Sequence, residues 1–258
     1  FQFVNGSILE LDDLKKIPKN IDYVFHIAAI AGVRNSLQNP SEYFKINFEG
    51  TKKIIDRFLN VKKIIFASTS SVYGEIPFNE FPVSETHSLN PISPYGESKK
   101  QAEELFVNAK DMNGLDFAIL RFYTVYGPRQ RPDEAFTKFI RLAFENKSIP
   151  IYGDGSKERD FTNINDIVNG SILATEKGSG IYNLGSGNPV TVNKMVSSIE
   201  KILGFKMKKE YIDSPLGDVQ KTHADISKAK KELGFQPNIK LDEGIKKTID
   251  WFKKSFVN

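Results

Sequence analysis

The sequence contains no cysteine, which excludes a disulfide framework, a thiolate nucleophile and a cysteine-ligated metal site. Histidine is scarce as well. His26, His87 and His223 stand in unlike contexts without metal-ligand spacing, so we expect no metal. A reducing compartment is the default for a chain without disulfides, and we expect the protein to be cytoplasmic.

Long hydrophobic runs are also missing. The longest apolar runs, at residues 23–30 and 64–67, have the length of strands and are far shorter than the roughly 20 residues of a membrane span. The net charge is only +4, from 36 basic and 32 acidic residues, and the basic residues are spread along the chain. We therefore expect neither a membrane nor a nucleic acid as partner.

What the sequence does contain is an alternation of short apolar runs and amphipathic stretches, which is typical of a parallel sheet covered by helices. Predicted strands cover residues 1–4, 23–28, 63–68 and 117–122. Predicted helices cover residues 40–58, 98–109, 135–146, 164–176, 192–203, 227–233 and 241–255. The alternation loosens after Tyr126, so we predict an α/β, Rossmann-like parallel sheet followed by a smaller α+β lobe.

One candidate for proton transfer is the pair Tyr95 and Lys99. Their spacing of four residues places both side chains on one face of a helix, one turn apart. A cationic neighbour favours the phenolate, which would let Tyr95 exchange a proton below the usual tyrosine pKa of about 10. A single match to this spacing is expected by chance, and an exposed helix pair is the alternative interpretation.

A hydroxyl-rich turn gives the pair its context. The predicted strand at residues 63–68 runs directly into Thr69, Ser70 and Ser71, and active sites of open α/β sheets lie at such carboxyl ends. The alternative is a turn whose hydroxyls only satisfy local backbone groups. The combination of this strand end with the Tyr95 and Lys99 helix favours an active site.

Six segments in succession resemble motifs of the extended short-chain dehydrogenase/reductase family that acts on nucleotide sugars. They are FASTSSVYG (66–74), NPISPYGESK (90–99), LRFYTVYGPRQRPDEAF (120–136), YGDGSKERDFTNINDIV (152–168), NLGSG (183–187) and GDVQKTHADISKAKKELGF (217–235). The resemblance extends over most of the chain and is strongest to UDP-glucose and UDP-glucuronate 4-epimerases.

The resemblance implies NAD-dependent epimerisation at C4 of a UDP-sugar through a transient 4-keto intermediate. Tyr95 would be the base that removes the proton of the sugar 4-hydroxyl, Thr69 would hydrogen-bond the same oxygen, and Lys99 would bind the nicotinamide ribose. Ser70-Ser71 stands where sugar 4,6-dehydratases of the family carry an Asp-Glu pair. A hydroxyl lacks the acid/base capacity of a carboxyl group, which argues against a dehydratase.

The same resemblance assigns two sets of ligand-binding residues. Those implied for NAD are Ser7, Ile8, Ile27, Ala28, Ala29, Asn47, Ser68, Tyr95, Lys99 and Phe122. Those implied for the UDP-sugar are Ser70, Thr124, Ile151, Tyr152, Arg159 and Asp218. Ile151 and Tyr152 would line the uracil site, Arg159 would reach the diphosphate, and Asp218 would meet the uridine ribose or a nearby arginine. For residues 129–132 two interpretations stay open: a loop that faces a phosphate and a solvated loop.

Two departures from the family pattern bear on substrate and cofactor. Pro215 and Leu216 stand where many UDP-galactose 4-epimerases carry a second phosphate-binding arginine, so the sugar stays open. The family's opening strand, glycine-rich turn and acidic residue would precede Phe1. Because a helix N-terminus behind such a turn binds the pyrophosphate, we expect weak NAD binding without it. The chain would then be a fragment, or a neighbouring molecule would cover the exposed sheet edge.

For the domains, we predict that residues 1–125 form a Rossmann-like domain, apparently without its first βαβ segment, to which residues 160–187 return. Residues 126–159 and 188–258 would form the nucleotide-sugar lobe. Relatives often dimerise through a four-helix bundle, so we expect a homodimer built from the helices at 40–58 and 98–109. A decarboxylase or reductase with the same chemistry, and a non-catalytic nucleotide-sugar binder, are the alternative functions.

Overall fold

The computed structural model of the protein describes residues 1–215 and 217–256. The strands are β1 (Tyr23–His26), β2 (Lys63–Thr69), β3 (Phe117–Phe122), β4 (Thr124–Tyr126), β5 (Ile149–Tyr152), β6 (Glu158–Arg159), β7 (Phe161–Asn163), β8 (Gly180–Leu184), β9 (Val190–Thr191) and β10 (Lys209–Ile212). The α-helices are α1 (Leu11–Lys15), α2 (Val33–Gln38), α3 (Pro40–Tyr43), α4 (Gly50–Arg57), α5 (Pro94–Asn113), α6 (Ala135–Phe144), α7 (Ile164–Lys177), α8 (Val192–Leu203) and α9 (Leu241–Phe256). Short 3₁₀ turns cover Ser70–Val72 and Phe78–Glu80, and π-helical segments cover Phe44–Glu49 and Ala229–Leu233.

The main sheet is parallel throughout, with strand order β1-β2-β3-β8. Its inner strands are covered on both faces, which explains why β2 and β3 are apolar runs without polar alternation. Successive residues still point to opposite faces: Ile64 and Phe66 belong to one core cluster, and Ile65 belongs to the other. The predicted Rossmann-like sheet is therefore present.

The strand predicted at residues 1–4 is wrong. These residues form no regular element and pair with no strand in the described chain, and Phe1 and Phe3 are exposed. An apolar run needs a hydrogen-bonding neighbour to become a strand, and in this structure β1 pairs on one side only, with β2. Tyr23 and Phe25 on β1, and Ile27 directly after it, are exposed as well.

Helix α5 has clear start and stop signals. The Ser93 hydroxyl caps it by accepting a hydrogen bond from the Gly96 N–H at 3.1 Å, and Pro94 occupies the first helical position. Gly114, with φ of 70°, ends it in the left-handed conformation. This helix and α4 cover one face of the sheet, whereas α7 covers the other.

The second half of the chain builds a separate core from α6, α8, α9 and β5. Its buried residues include Phe136, Ile140, Met195, Ile199 and Ile245. Strand β5 pairs with β10 in parallel, β4 with β7 in parallel, and β6 with β9 antiparallel. This arrangement matches the predicted α+β character of the second half.

Residues 224–235 do not join that second core. Ala224, Ile226, Ala229, Leu233 and Phe235 pack into the cluster beneath the main sheet. The predicted lobe boundary at residue 188 stays a prediction, and this packing places part of the second segment against the first domain. Among residues 1–215 and 217–256, no helix combines the length and apolarity needed to cross a membrane.

Candidate active site

The carboxyl ends of β2 and β3 open into a cavity of about 1000 Å³. Its walls come from both halves of the chain, with the strand ends and the start of α5 facing β5, β6 and the segment 127–135. The predicted site residues that line it are Ser68, Thr69, Ser70, Tyr95, Phe122, Thr124, Tyr152, Arg159 and Asp218. A cavity of this size can enclose a small organic ligand together with part of a cofactor.

A glycine brings the Tyr95 helix onto the hydroxyl-rich turn. A Cβ at Gly96 would lie 2.5 Å from the Ser71 carbonyl oxygen, so only glycine allows α5 to approach the turn this closely. Thr69 caps the turn: its hydroxyl accepts the Ser71 N–H at 3.1 Å and donates to the Ser71 hydroxyl at 3.2 Å. Thr69 thus makes the local contacts of the alternative interpretation and also lies beside Tyr95.

Tyr95 lines the cavity next to Thr69, and its ring meets that of Tyr43 edge-on at a centroid distance of 6.2 Å. Burial raises the pKa of Tyr95, while hydrogen bonding by Thr69 and the positive charge of Arg131 lower it. A phenol held between these opposing effects suits proton transfer at a developing or departing alkoxide. Its catalytic role stays a prediction at this point.

Lys99 lies one turn after Tyr95, as the spacing predicts, but in this structure it does not supply the charge that acts on the phenol. Its amino group lies 4.0 Å from the centroid of the Phe66 ring, inside the protein. Burial lowers the pKa of Lys99 to about 7, and the neighbouring Glu103 carboxylate opposes this. Arg131 is the cation that lowers the Tyr95 pKa here.

Arg131 is a site residue that the sequence left open. It lines the cavity and pairs with Asp133 at 2.9 Å and with Glu134 at 3.0 Å. Burial raises the pKa of Glu134, and Arg131 counters that effect. The segment 129–132 therefore faces the cavity. Of the two interpretations left open from the sequence, the structure does not show a loop that is simply solvated.

The remaining residues implied for NAD lie outside the lining of this cavity. Ile27, Ala28 and Ala29 follow β1 and are exposed. Asn47 is buried, and its amide accepts the Ile30 N–H at 2.9 Å and donates to the Ile30 carbonyl at 3.0 Å. Asn47 thus fixes the segment that follows β1.

Ser7 and Ile8 are placed by local contacts at the edge of α4. The Ser7 N–H donates to Asp13 at 2.9 Å, and Ile8 packs where Gly50 leaves room. Ser68 does line the cavity, and its hydroxyl donates to Glu103 at 2.5 Å. Of the NAD set, the structure brings Ser68, Tyr95 and Phe122 to the cavity.

Along β5, the predicted uracil-site residues separate. The Ile151 side chain is fully buried in the second core and does not line the cavity, so only its main chain could meet a ligand, and its place in the uracil site stays a prediction. The side chain is buried because of the two-residue period of a strand, which points Ile149 and Ile151 inward and Pro150 and Tyr152 toward the cavity. The Arg34 guanidinium, from α2, donates to the Tyr152 hydroxyl at 2.6 Å.

A three-residue charge cluster stands at the predicted diphosphate site. Asp218 accepts hydrogen bonds from Arg159 at 2.6 Å and from Lys157 at 2.9 Å. The resemblance implies that Asp218 meets either the uridine ribose or a nearby arginine, and in the structure it pairs with Arg159. Lys157 was missed, although its position two residues before Arg159 is the spacing that places two side chains on one face of a strand. Pro215 lies near this cluster in sequence, and Leu216 lies outside the described residues.

Comparisons with known proteins agree with this site. Residues 1–185 match the model of the NAD dependent epimerase/dehydratase family. The chain is 42% identical to a UDP-glucuronate 4-epimerase of Thermodesulfobacterium geofontis, over 99% of this chain and 80% of that relative.

Two solved structures are similar as well. One is the UDP-glucuronic acid 4-epimerase of Bacillus cereus in complex with UDP-glucuronic acid and NAD, with a TM-score of 0.94 and 37% identity over 99% of this chain and 82% of that one. The other is the UDP-glucose 4-epimerase of Thermotoga maritima with UDP-glucose, with a TM-score of 0.92 and 35% identity over 97% of this chain and 84% of that one.

The fold and the site thus define a Rossmann-type enzyme of the extended short-chain dehydrogenase/reductase class. The chain belongs to the NAD dependent epimerase/dehydratase family. The resemblance, the fold class and the prediction of an NAD-dependent UDP-sugar 4-epimerase are confirmed by these matches.

Proposed function

We propose that the protein inverts the configuration at C4 of a UDP-sugar with NAD as cofactor, and that UDP-glucuronate is its preferred substrate. The observation that carries the proposal is the convergence of Tyr95, Thr69 and Arg131 on one wall of the cavity. The choice of sugar is supported by the UDP-glucuronate 4-epimerases among the relatives.

The residues present fit the nicotinamide end of NAD. Thr69, Tyr95 and Phe122 line the cavity where the strands of the parallel sheet end, which is where open α/β sheets bind such cofactors. When bound there, NAD supplies the acceptor and donor for a hydride at sugar C4. Lys99, one turn from Tyr95, is the residue that would hold the nicotinamide ribose.

In this proposal, Tyr95 takes the proton of the sugar 4-hydroxyl as C4 is oxidised to the ketone. The Thr69 hydroxyl holds the same oxygen in line with the phenol. Tyr95 returns the proton to that oxygen when C4 is reduced again. Reduction on the opposite face of the sugar inverts the configuration at C4. The base is phenolate, so the influences of Thr69 and Arg131, which lower the Tyr95 pKa, favour the reactive form.

The charge of Arg131 supports a uronic sugar. The carboxylate of glucuronate is carried on C5, next to the carbon that reacts, so a guanidinium whose field reaches Tyr95 can bind it by exchanging Asp133 or Glu134 for the sugar carboxylate. The ion pairs of Arg131 with Asp133 and Glu134 hold the guanidinium at the cavity wall. Substituting Arg131 by Met should lower kcat/KM more for UDP-glucuronate than for UDP-glucose.

Proton NMR of the sugar anomeric signals tests the reaction. We expect UDP-glucuronate and NAD to give UDP-galacturonate without net NADH, and we expect Tyr95→Phe to abolish turnover. Tyr211→Phe is the matched control, since Tyr211 is exposed on β10. Release of carbon dioxide would identify a decarboxylase, and net NADH consumption would identify a reductase. Undiminished turnover by Tyr95→Phe would dismiss Tyr95 as the base.

We also propose a homodimer and a cytoplasmic location. Exposed apolar side chains on α5, among them Val107 and Met112, support an interface that involves this helix. Sedimentation at several protein concentrations tests the dimer.

A further inference from the structure

A carboxylate lies buried directly behind the proposed active site. Glu103 stands on α5 one turn after Lys99, and only 3% of its surface is exposed. It holds Arg121 with both oxygens, through Nη2 at 2.6 Å and Nε at 3.1 and 3.2 Å. Its Oε1 also accepts the Ser68 hydroxyl. Glu103 therefore joins three segments of the core.

Each of those segments carries a residue of the proposed site. Ser68 directly precedes Thr69 at the end of β2, Arg121 directly precedes Phe122 at the end of β3, and α5 carries Tyr95 and Lys99. We propose that Glu103 is a positioning residue of the epimerase reaction, which fixes α5 against the two strand ends and acts through Lys99. The proposal rests on the assignment of Tyr95 and Lys99 made above.

Fold stability alone is a poor explanation for the buried ion pair of Glu103 and Arg121. Removing two charges from water costs more than their attraction commonly returns, and apolar residues of similar volume are often as stable. Here the pair extends into a polar network, because Arg121 also donates to the Tyr73 hydroxyl at 2.9 Å and to the Glu85 carbonyl at 3.1 Å. Such an arrangement beneath a site fixes geometry in a way that apolar packing does not.

The charge of Glu103 also reaches Lys99. His26, from β1, is another titratable group that faces this lysine. Burial and the Lys99 charge lower the pKa of His26 to about 3, so this histidine is neutral. Glu103 is the anion that raises the pKa of Lys99 against the effect of burial. It therefore favours the ammonium form near neutral pH.

Removal of the Glu103 charge should change how the activity depends on pH, through Lys99. Without the Glu103 charge, the pKa of Lys99 falls further, and the ammonium is lost at a lower pH. If Lys99 acts as a cation in the reaction, the limb on which activity falls with rising pH moves to lower pH. A purely structural loss would lower activity at every pH without moving that limb.

The test uses Glu103→Gln, which keeps the shape and removes the charge, with the exposed neighbour Glu104→Gln as control. We expect Glu103→Gln to lower kcat about tenfold at pH 8, to leave KM for the UDP-sugar within about threefold, and to move the descending limb by about one pH unit. The control should match the wild type. A limb that stays in place would overturn the proposal, whatever the size of the rate loss.

A second readout needs no turnover. NMR of protein labelled with ¹³C at lysine Cε gives the Lys99 pKa directly, with Lys99→Met to assign the signal. A lower Lys99 pKa in Glu103→Gln supports the proposal, and an unchanged value overturns it. If the wild type shows no epimerisation at all, the proposed function fails, while this titration still decides about Glu103.

Glu103→Gln leaves Arg121 as an unpaired buried cation, which destabilises the fold. The double variant Glu103→Gln/Arg121→Met removes both charges and avoids that cost. We expect it to fold and to retain the lower Lys99 pKa. A Lys99 pKa restored to the wild-type value in the double variant would contradict a direct effect of the Glu103 charge.

Discussion

Arg34 stacks on the ring of Tyr152 across the cleft. Its Cζ lies 4.2 Å from the ring centroid, and its Nη1 donates to the tyrosine hydroxyl at 2.6 Å. Arg34 belongs to α2 in the first half of the chain, whereas Tyr152 ends β5 in the second. The contact covers one face of a ring that the resemblance places in the lining of the uracil site.

Because the guanidinium occupies that face, a base that stacks on Tyr152 must displace it. Arg34→Ala should therefore tighten the binding of uridine, which carries no charge, by about two- to fivefold, the range of one exposed cation–π contact. Calorimetry with uridine measures this, with Lys246→Ala as control, because Lys246 is exposed on α9 and does not line the cavity. Weaker uridine binding in Arg34→Ala would show instead that Arg34 itself contacts the base.

The second prediction concerns pH. The positive charge of Arg131 lowers the pKa of Tyr95, so its removal raises that pKa and phenolate forms only at higher pH. In Arg131→Met, the limb on which activity rises with pH should move upward by about half a unit to one unit. UDP-glucose is the substrate of choice, because it has no carboxylate for Arg131 to bind. Lys246→Met, at an exposed position outside the cavity, is the control, and an unmoved limb would contradict the electrostatic role.

The proximity of Tyr95 and Thr69 could be predicted from the sequence because topology alone sets it. The carboxyl ends of parallel strands meet at one edge of a sheet, and the helix that follows β2 begins beside that edge. In the structure, Gly96, next to Tyr95, lets the helix approach the turn closely. No knowledge of side-chain conformation was needed.

The features that were not predicted correctly from the sequence have different physical causes. Residues 1–4 have the composition of a strand, but a strand depends on a partner that sequence cannot supply. Ile151 and Tyr152 are both apolar neighbours on β5, and only the packing of the second core decides which of them points inward. Arg131 and Lys157 are long side chains whose ends are placed by partners distant in sequence or by loop conformation.

The third prediction concerns UDP. Lys157 and Arg159 share the single carboxylate of Asp218, so the cluster keeps one positive charge for a diphosphate. Arg159→Met removes the bidentate donor and should weaken UDP binding about ten- to a hundredfold, with little change in melting temperature. Calorimetry with UDP measures it. The exposed Lys194→Met should bind as the wild type does, and equal affinity of the two variants would remove Arg159 from the diphosphate site.

The last prediction concerns stability at Asp160, beside Arg159. This carboxylate is fully buried and accepts hydrogen bonds from the Ser186 N–H at 2.7 Å, the Gly187 N–H at 3.1 Å and the Ala224 N–H at 3.0 Å. It thereby ties β6 to two segments that return to the main sheet.

An amide at this position can accept with only one of its two terminal atoms, so Asp160→Asn leaves buried N–H donors unpaired. We expect it to lower the free energy of unfolding by about 2–4 kcal/mol. Urea unfolding at pH 7 measures the change, with the exposed Asp154→Asn as the matched control. A loss below 1 kcal/mol would mean that water or a rearranged loop satisfies these donors, and that Asp160 does not hold the segments together.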